Sequence, residues 1–339
     1  MSFPISVHAP SKRWTGFIAV YSALGLFFAW YATIELKRNP VGIGELVSLY
    51  ACLLMLLAFY LAAGFTASRS WLIERLHGER GAIGCLAIFV VPYLIYALGT
   101  GDFRWLAFLR LIAIAAPPLL LLGSARIRDP GRLHWQDLLA LLWLMAPVFA
   151  GQIGGIWNVP VNLDFMARLF MVGVGSWAFL IFRRVPNSGY EFAPSRHTPR
   201  DVIGNFGGFA LIALPLGYAL HFIKWNPQWH GAPAFASDLI VIFPFIAVTE
   251  ELFFRGLIQN LLEGSFRSRY AAQAITALLF GLSHIRHAPY PNWRYVALAT
   301  VAGWFYGSAY RAHRSLMASA ITHALVDTLW RTFFTLPKG

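Results

Sequence analysis

The sequence predicts an all-α protein, a polytopic transmembrane helical bundle of about eleven spans. Three observations predict this class. Of the 339 residues, 58% are hydrophobic and 12% are charged, a composition that soluble globular domains do not have. The mean hydropathy of the chain is +0.58. The 13 tryptophans suit a protein with many membrane–water interfaces, where amphipathic rings concentrate.

Each span is predicted from an apolar run long enough to cross a hydrocarbon core of about 30 Å, which takes about 20 helical residues. The first three runs are nearly free of charge, the fourth contains Arg110 and the Pro117-Pro118 pair, and the last four contain polar residues. The predicted spans are 14–34, 46–68, 81–101, 105–125, 138–157, 165–182, 202–222, 238–262, 271–286, 293–310 and 315–336.

The loops between the spans predict the orientation and the domain organisation. Lys and Arg are more numerous in the segments on the N-terminal side of the membrane, so the positive-inside rule places the N-terminus in the cytoplasm of a multi-pass cell membrane protein. Residues 183–201 are rich in turn formers and predict a cytoplasmic linker. The linker separates an N-terminal bundle of unassigned role, residues 1–182, from a C-terminal bundle, residues 202–339.

The formal net charge of +12 raises nucleic-acid binding as a hypothesis. The basic residues are scattered between apolar runs without a basic stripe, which indicates membrane lipid as the partner and no nucleic acid. Cys52 and Cys85 both lie inside apolar runs, so the sequence predicts neither a disulfide framework nor a cysteine-ligated zinc site.

Acidic side chains and histidines fall in the middle of predicted spans only in the C-terminal bundle. They are Glu250, Glu251, His284, His323 and Asp327. A charged side chain at mid-bilayer costs about 2.5–3.5 kcal/mol on insertion scales, so such groups normally face a cavity and serve a function. At ~1.5 Å of helix rise per residue, Glu250, the two histidines and Asp327 fall in a layer less than about 10 Å thick. This convergence is the main functional signal in the sequence.

Helical spacing assigns a structural role to one of the two adjacent glutamates. Glu251 and Arg255 are four residues apart, with the acid N-terminal to the base, the better orientation for an ion pair on one helix face. Glu250 is turned ~100° away from Glu251 and lacks this partner. Glu250 is therefore predicted to be the carboxylate left free for proton transfer, and Glu251 and Arg255 are predicted to support the site.

The remaining polar groups predict hydrolysis. His323 and Asp327 are four residues apart, which puts an imidazole and a carboxyl group on one helix face. We expect Glu250 to take a proton from a water molecule that His284 helps to hold. His323 and Asp327 are expected to stabilise the oxyanion.

These residues form three motifs that resemble the CPBP family of intramembrane proteases (CAAX protease and bacteriocin-processing, also called ABI). The family pattern is Glu-Glu-x-x-x-Arg, Phe-x-x-x-His and His-x-x-x-Asn/Asp on successive transmembrane helices. Here the motifs are Glu250-Glu251 with Arg255, Phe280 with His284, and His323 with Asp327. The resemblance covers about residues 238–336 and leaves the N-terminal spans unexplained.

The resemblance implies a glutamate-dependent intramembrane endopeptidase that cleaves a membrane-associated or lipid-anchored, CAAX-like protein. It maps water activation onto Glu250 and His284, and the oxyanion hole onto His323 and Asp327. In the prenyl-protein processing members the last position is typically Asn, a hydrogen-bond donor, whereas Asp327 donates only when it is protonated. Asp327 could instead fix the tautomer of His323.

Several alternatives stay open at the level of the sequence. The chain could be a catalytically silent scaffold or bacteriocin-immunity protein of the same fold, or a proton-coupled transporter that uses Glu250 and the histidines as a relay. No cofactor is predicted. The alternative is zinc, with Glu250, His284 and His323 as ligands and His287 as a fourth.

Overall fold

The computed structural model describes residues 14–38, 42–157 and 163–335, and the regular secondary structure of this part of the chain is helical apart from one pair of two-residue strands. The all-α fold class is thus confirmed. The helices before the linker are α1 (Thr15–Arg38), α2 (Ile43–Ala62), α3 (Thr66–Arg75), α4 (Gly78–Thr100), α5 (Trp105–Ser124), α6 (Trp135–Phe149) and α7 (Asp164–Ser176), which continues as a π-helical segment, Trp177–Phe182.

The helices after the linker surround the candidate site. They are α8 (Thr198–Ala219), α9 (Ala232–Ile242), α10 (Val248–Glu251), α11 (Asn260–Ser265), α12 (Arg269–Ser283), α13 (Trp293–His313) and α14 (Leu316–Phe333). Strand β1 (Lys224–Trp225) pairs antiparallel with β2 (Phe334–Thr335). This pairing ties the segment after α8 to the end of α14.

Six helical stretches of the described chain are long and apolar enough to cross a membrane: Ile43–Ala62, Gly78–Thr100, Trp105–Ser124, Phe165–Phe182, Thr198–Ala219 and Ala232–Ser265. A multi-pass membrane protein is thus supported, whereas the count of about eleven spans stays a prediction. Two further apolar helices, Thr15–Tyr31 and Trp135–Phe149, are shorter.

The helix boundaries differ from the predicted spans at several places, among them the C-terminal parts of three runs. The run at 46–68 breaks after Ala62, and α3 starts anew at Thr66. The run at 138–157 forms a helix only to Phe149. The third difference bears on function, because α12 ends at Ser283 and His284 is the residue that follows it. Hydropathy extends a span across such ends because the flanking residues stay apolar.

The chain forms two compact units, of which the first comprises Met1–Arg128 with His134–Arg184 and the second Asp129–Leu133 with Val185–Gly339. The first unit has an aromatic core in which the ring centroids of Phe59 and Phe89 are 4.7 Å apart. The indole Nε1 of Trp177 donates to the Phe59 carbonyl oxygen at 2.9 Å.

The first unit also contains a buried ion pair. Arg183 Nε donates to Asp137 Oδ1 at 2.7 Å, and Arg183 Nη2 donates to Asp137 Oδ2 at 3.0 Å. This two-point geometry satisfies both carboxylate oxygens in an apolar environment, where an unpaired charge would be costly. The role of the N-terminal bundle stays without assignment.

Most of the predicted linker, from Val185 onward, belongs to the second unit and packs within it. Tyr310 of α13 donates its hydroxyl proton to the Asn187 carbonyl oxygen at 2.8 Å. Gly189 adopts a φ of +66°, and a Cβ there would lie 3.0 Å from the Tyr310 ring. Leu316 N, at the start of α14, donates to the Gly189 carbonyl oxygen at 3.3 Å. These contacts fix the chain beside the turn between α13 and α14.

The two adjacent glutamates lie between two π-helical segments. The helical stretch Ala232–Ser265 has 34 residues, and its π-helical parts are Phe243–Ala247 and Leu252–Gln259. The first begins beside Pro244, which has no N–H to donate to the helical ladder. Because π-helical turns are rare and often occur at functional sites, this stretch is the first structural indication of a site.

Helices α12 and α13 pack closely through glycine. A Cβ at Gly281 would lie 2.7 Å from the Val296 carbonyl oxygen, and one at Gly303 would lie 3.1 Å from the Ala277 Cα. Small residues allow two helix backbones to approach in this way. The close approach brings Phe280 and the end of α12 against α13.

Candidate functional site

Glu251 is fully buried and makes four polar contacts with three partner residues. Arg255 Nη1 donates to Glu251 Oε1 at 3.1 Å, and Arg255 Nε lies 3.1 Å from Glu251 Oε2. Ser319 of α14 donates to Glu251 Oε2. His323 Nδ1 lies 2.8 Å from Glu251 Oε1. The Glu251–Arg255 ion pair expected from the spacing is present, and Glu251 joins α14 to the helix that carries the glutamates.

Arg255 is held from several directions although its side chain is 0% exposed. Its Nη2 donates to the Gly303 carbonyl oxygen at 2.9 Å. The guanidinium carbon lies 4.6 Å from the centroid of the Phe280 ring, a cation–π distance. A buried guanidinium needs such partners to offset the loss of water. Arg255 thus fixes the position of Glu251.

His323 lies between two carboxyl groups. Its Nδ1 faces Glu251, and its Nε2 lies 3.5 Å from Asp327 Oδ2. Its ring stacks on Tyr306 with the centroids 4.5 Å apart. A carboxylate that accepts Nδ1–H fixes the tautomer and the orientation of the imidazole. Glu251 therefore positions His323. Asp327, which is 35% exposed, lies on the Nε2 side of the same ring.

His284 has one ring nitrogen bound to the backbone. Its Nδ1 lies 2.9 Å from the Phe280 carbonyl oxygen, one helical turn earlier. A carbonyl oxygen only accepts, so Nδ1 carries the proton in this contact and Nε2 presents its lone pair when the ring is neutral. The backbone carbonyl one turn earlier thus fixes the tautomer of His284. Ser283 Oγ lies 3.1 Å from the same nitrogen.

Glu250 has an environment opposite to that of its neighbour. Its side chain is partly buried, and its Oε2 is buried and has no hydrogen-bond partner within the described chain. Glu250 is close enough to Arg255, His287 and Tyr295 to interact with each of them electrostatically. A buried carboxylate oxygen without a partner is costly, and this cost is typical of a group kept for a ligand or a reaction.

The loop between α12 and α13 adds a second imidazole beside His284. The ring centroids of His284 and His287 are 5.7 Å apart. Partial burial lowers the pKa of His287, as does the neighbouring His284, while Glu250 raises it. His287 is therefore neutral near pH 7, and it adds no positive charge beside His284.

The structure brings the six predicted site residues to one region of the second unit. Direct contacts connect Glu251 with Arg255 and His323, and His323 with Asp327. Phe280 links them to His284, because its ring centroid is 4.9 Å from the His284 ring and 5.7 Å from the His323 ring. Their chemical roles stay predictions.

The residues present do not fit the zinc site considered as an alternative. Among the described residues, no group of three or more His, Cys, Asp or Glu side chains is placed to hold a metal ion. Glu251 faces Nδ1 of His323, and Asp327 faces Nε2. A zinc site needs three or four ligands that converge on one point.

The site contains residues that the sequence interpretation did not select. Ser319 precedes His323 by four residues and binds Glu251, so its helical spacing was a usable signal. Tyr295 and Tyr306 of α13 contact the site histidines. Their spacing in the sequence gave no such signal, because the contact comes from the packing of α13 against α12 and α14.

Comparison with known proteins agrees with the motifs. Residues 232–329 match the family model described as type II CAAX prenyl endopeptidase, Rce1-like. A "probable CAAX prenyl protease 2" of Schizosaccharomyces pombe is 32% identical over 127 residues, which cover 33% of this chain and 45% of that protein. The match thus spans less than half the length of this curated relative. No solved structure matches the chain.

The matched range contains all six predicted site residues. The resemblance to the CPBP family that the three motifs indicate is therefore confirmed. It applies to the C-terminal part of the chain, and the helices before the linker lie outside the matched range.

Proposed function

Because the C-terminal region resembles the CAAX protease family, we propose that the protein is an intramembrane endopeptidase. Its substrate is a membrane-anchored, prenylated protein with a CAAX-like C-terminus, and its partners are this substrate and membrane lipid. The protein acts in the cell membrane with its N-terminus in the cytoplasm. The family match supports the reaction class, and the geometry of the two glutamates supports the mechanism.

The contrast between Glu250 and Glu251 carries the proposal. Both oxygens of Glu251 are engaged by Arg255, Ser319 and His323. Glu250, the adjacent residue, has a buried oxygen that no described group satisfies. A general base needs a free lone pair beside the reacting water, and Glu250 has one.

The mechanism begins with a water molecule held by Glu250 and His284. Glu250 Oε2 and His284 Nε2 are both hydrogen-bond acceptors, so one water molecule can donate to both. Its lone pair then points away from them and toward the carbonyl carbon of the scissile peptide bond. The water oxygen attacks this carbon while its proton passes to Glu250. The electron pair of the C=O double bond moves to oxygen and forms an oxyanion. When the oxyanion collapses, the C–N bond breaks and the leaving nitrogen takes the proton from Glu250.

Glu251 and Arg255 act on the reaction indirectly, through His323. Glu251 holds Nδ1 of His323 at 2.8 Å, and Arg255 holds Glu251. This arrangement directs Nε2 of His323 toward Asp327, the side on which we place the substrate. We assign His323 and Asp327 to the stabilisation and orientation of the tetrahedral intermediate, and we assign Glu251 and Arg255 to positioning.

Replacing His284 with alanine tests the water-binding role. We expect His284→Ala to lower kcat by about 10²–10⁴-fold, the usual contribution of a proton-handling side chain. Cleavage of a prenylated peptide by the detergent-purified protein measures the loss. The matched control is His313→Ala, because His313 lies at the end of α13 and contacts Asp201 at 2.6 Å. Equal activity of His284→Ala and wild type would remove His284 from the mechanism.

Removing divalent cations tests the glutamic mechanism against the zinc alternative. We expect the cleavage rate to be the same before and after dialysis against a zinc chelator, because no step of the mechanism needs a metal ion. Elemental analysis of the dialysed protein controls for complete removal. Loss of activity that added zinc restores would reinstate the metal.

A further inference from the structure

The candidate site is rich in acceptors where the reaction needs a donor. Negative charge develops on the carbonyl oxygen during hydrolysis, and preorganised N–H or O–H groups stabilise it. The groups assigned to the water, Glu250 and Nε2 of His284, accept hydrogen bonds. Asp327 is a carboxylate, and the nitrogens of His323 face Glu251 and Asp327. A further O–H or N–H donor that has no carboxylate partner of its own would add to the stabilisation assigned to His323 and Asp327.

Tyr295 carries a neutral O–H group and lies among these residues. Its ring centroid is 4.8 Å from the His284 ring and 4.9 Å from the His287 ring. The charges of Asp327 and Glu250 both act on its phenol. Tyr295 thus packs against His284 and lies within electrostatic reach of both Glu250, which is assigned to the water, and Asp327, which is assigned to the oxyanion side.

The position of Tyr295 is fixed by the first turn of α13. Asn292 Oδ1 accepts from the Tyr295 backbone N–H at 3.0 Å, and Asn292 Nδ2 donates to the Ala288 carbonyl oxygen at 3.0 Å. Asn292 N donates to the Ile285 carbonyl oxygen at 2.9 Å. The buried side chain of Asn292 thus ties the loop that follows His284 to α13. A functional group on such a fixed turn is preorganised.

The hydroxyl group of Tyr295 is available to a ligand. Within the described residues, it has no hydrogen bond to a protein group, while its ring packs on Phe222 with the centroids 5.2 Å apart. Tyr306, the other tyrosine beside the site, is 1% exposed and stacks on His323. The ring of Tyr295 is thus packed and its O–H is free.

We infer that Tyr295 is a further catalytic residue, whose O–H donates a hydrogen bond to the carbonyl oxygen of the scissile peptide bond as negative charge develops there. This inference rests on the proposed function. No bond to Tyr295 forms or breaks. The phenol keeps its proton throughout, and the oxyanion accepts the hydrogen bond until the C–N bond cleaves.

Tyr295→Phe tests the inference, because phenylalanine keeps the ring contacts with His284, His287 and Phe222 and removes only the donor. We expect kcat for a prenylated peptide to fall by about 10²–10³-fold, the usual cost of losing one oxyanion donor, with KM changed less than about twofold because the hydrogen bond strengthens in the transition state. Tyr270→Phe is the matched control, because Tyr270 is 59% exposed at the start of α12. The thermal unfolding midpoints of both variants are expected to equal that of wild type.

A double variant separates a missing donor from a disturbed site. Asp327→Asn places an amide donor on the same side, so Tyr295→Phe with Asp327→Asn is expected to recover at least about tenfold in kcat over Tyr295→Phe alone. A kcat of Tyr295→Phe within twofold of wild type would overturn the inference and leave the proposed function intact. Failure of the double variant to recover would also overturn it. A wild-type protein that cleaves nothing would contradict the proposed function, and the inference with it.

Discussion

Replacing Glu250 with glutamine is expected to lower kcat by about 10⁴-fold, the upper end of the range for a general base. Glutamine has nearly the shape of glutamate but cannot take a proton from water. Oε2 of Glu250 has no partner among the described groups, so the change breaks no hydrogen bond of that oxygen and the variant is expected to fold. Single-turnover cleavage of a prenylated peptide measures the effect.

Glu79→Gln provides the matched control for Glu250→Gln. Glu79 is exposed in the first turn of α4, in the first unit, and the same chemical change there is expected to leave kcat unchanged. Cleavage by Glu250→Gln at the wild-type rate, in a protein with an unchanged unfolding midpoint, would show that another group takes the proton.

Replacing Arg255 with leucine is expected to lower the free energy of unfolding by about 3–5 kcal/mol, the usual cost of leaving one partner of a buried ion pair uncompensated. Both side chains of the Glu251–Arg255 pair are 0% exposed, so water cannot take the place of the guanidinium. Activity is expected to fall as well, because Glu251 then no longer holds His323 in place. Denaturant unfolding in detergent micelles measures the loss of stability.

Two further variants show whether the loss comes from the unpaired charge. Arg267→Leu removes an exposed arginine of the same unit and is expected to change stability by less than about 0.5 kcal/mol. Glu251→Gln combined with Arg255→Leu removes both charges and is expected to be more stable than Arg255→Leu alone. If the double variant were less stable than Arg255→Leu, the charge would not be the cause.

The fold class could be predicted from the sequence because bilayer thickness fixes the length of an apolar helix. The helix ends could not. The break between Ala62 and Thr66 and the end of α12 at Ser283 depend on local turns inside apolar sequence, which hydropathy does not register. Helices α12 to α14 are not among the six described helices that are long and apolar enough to cross a membrane. They carry polar residues of the site, such as His323 and Asp327.

The sequence predicts which residues belong to the site but not the contacts between residues on different helices. The spacing of Glu251 and Arg255 identifies their ion pair, because both residues lie on one helix. The contact between Glu251 and His323 joins two helices, and the position of Tyr295 depends on how Asn292 ties the loop to α13. Such contacts between helices come from packing, which one sequence does not encode as a spacing.

The central claim, that Glu250 activates water to hydrolyse a peptide bond, is tested most directly by cleavage in ¹⁸O-labelled water. Wild type and Glu250→Gln are reconstituted in liposomes with a synthetic prenylated CAAX-like peptide, and the products are identified by mass spectrometry. We expect wild type to give a single cleavage with one ¹⁸O atom in the new C-terminal carboxylate, and Glu250→Gln to leave the peptide intact. An intact peptide in both samples, or equal cleavage in both, would contradict the account.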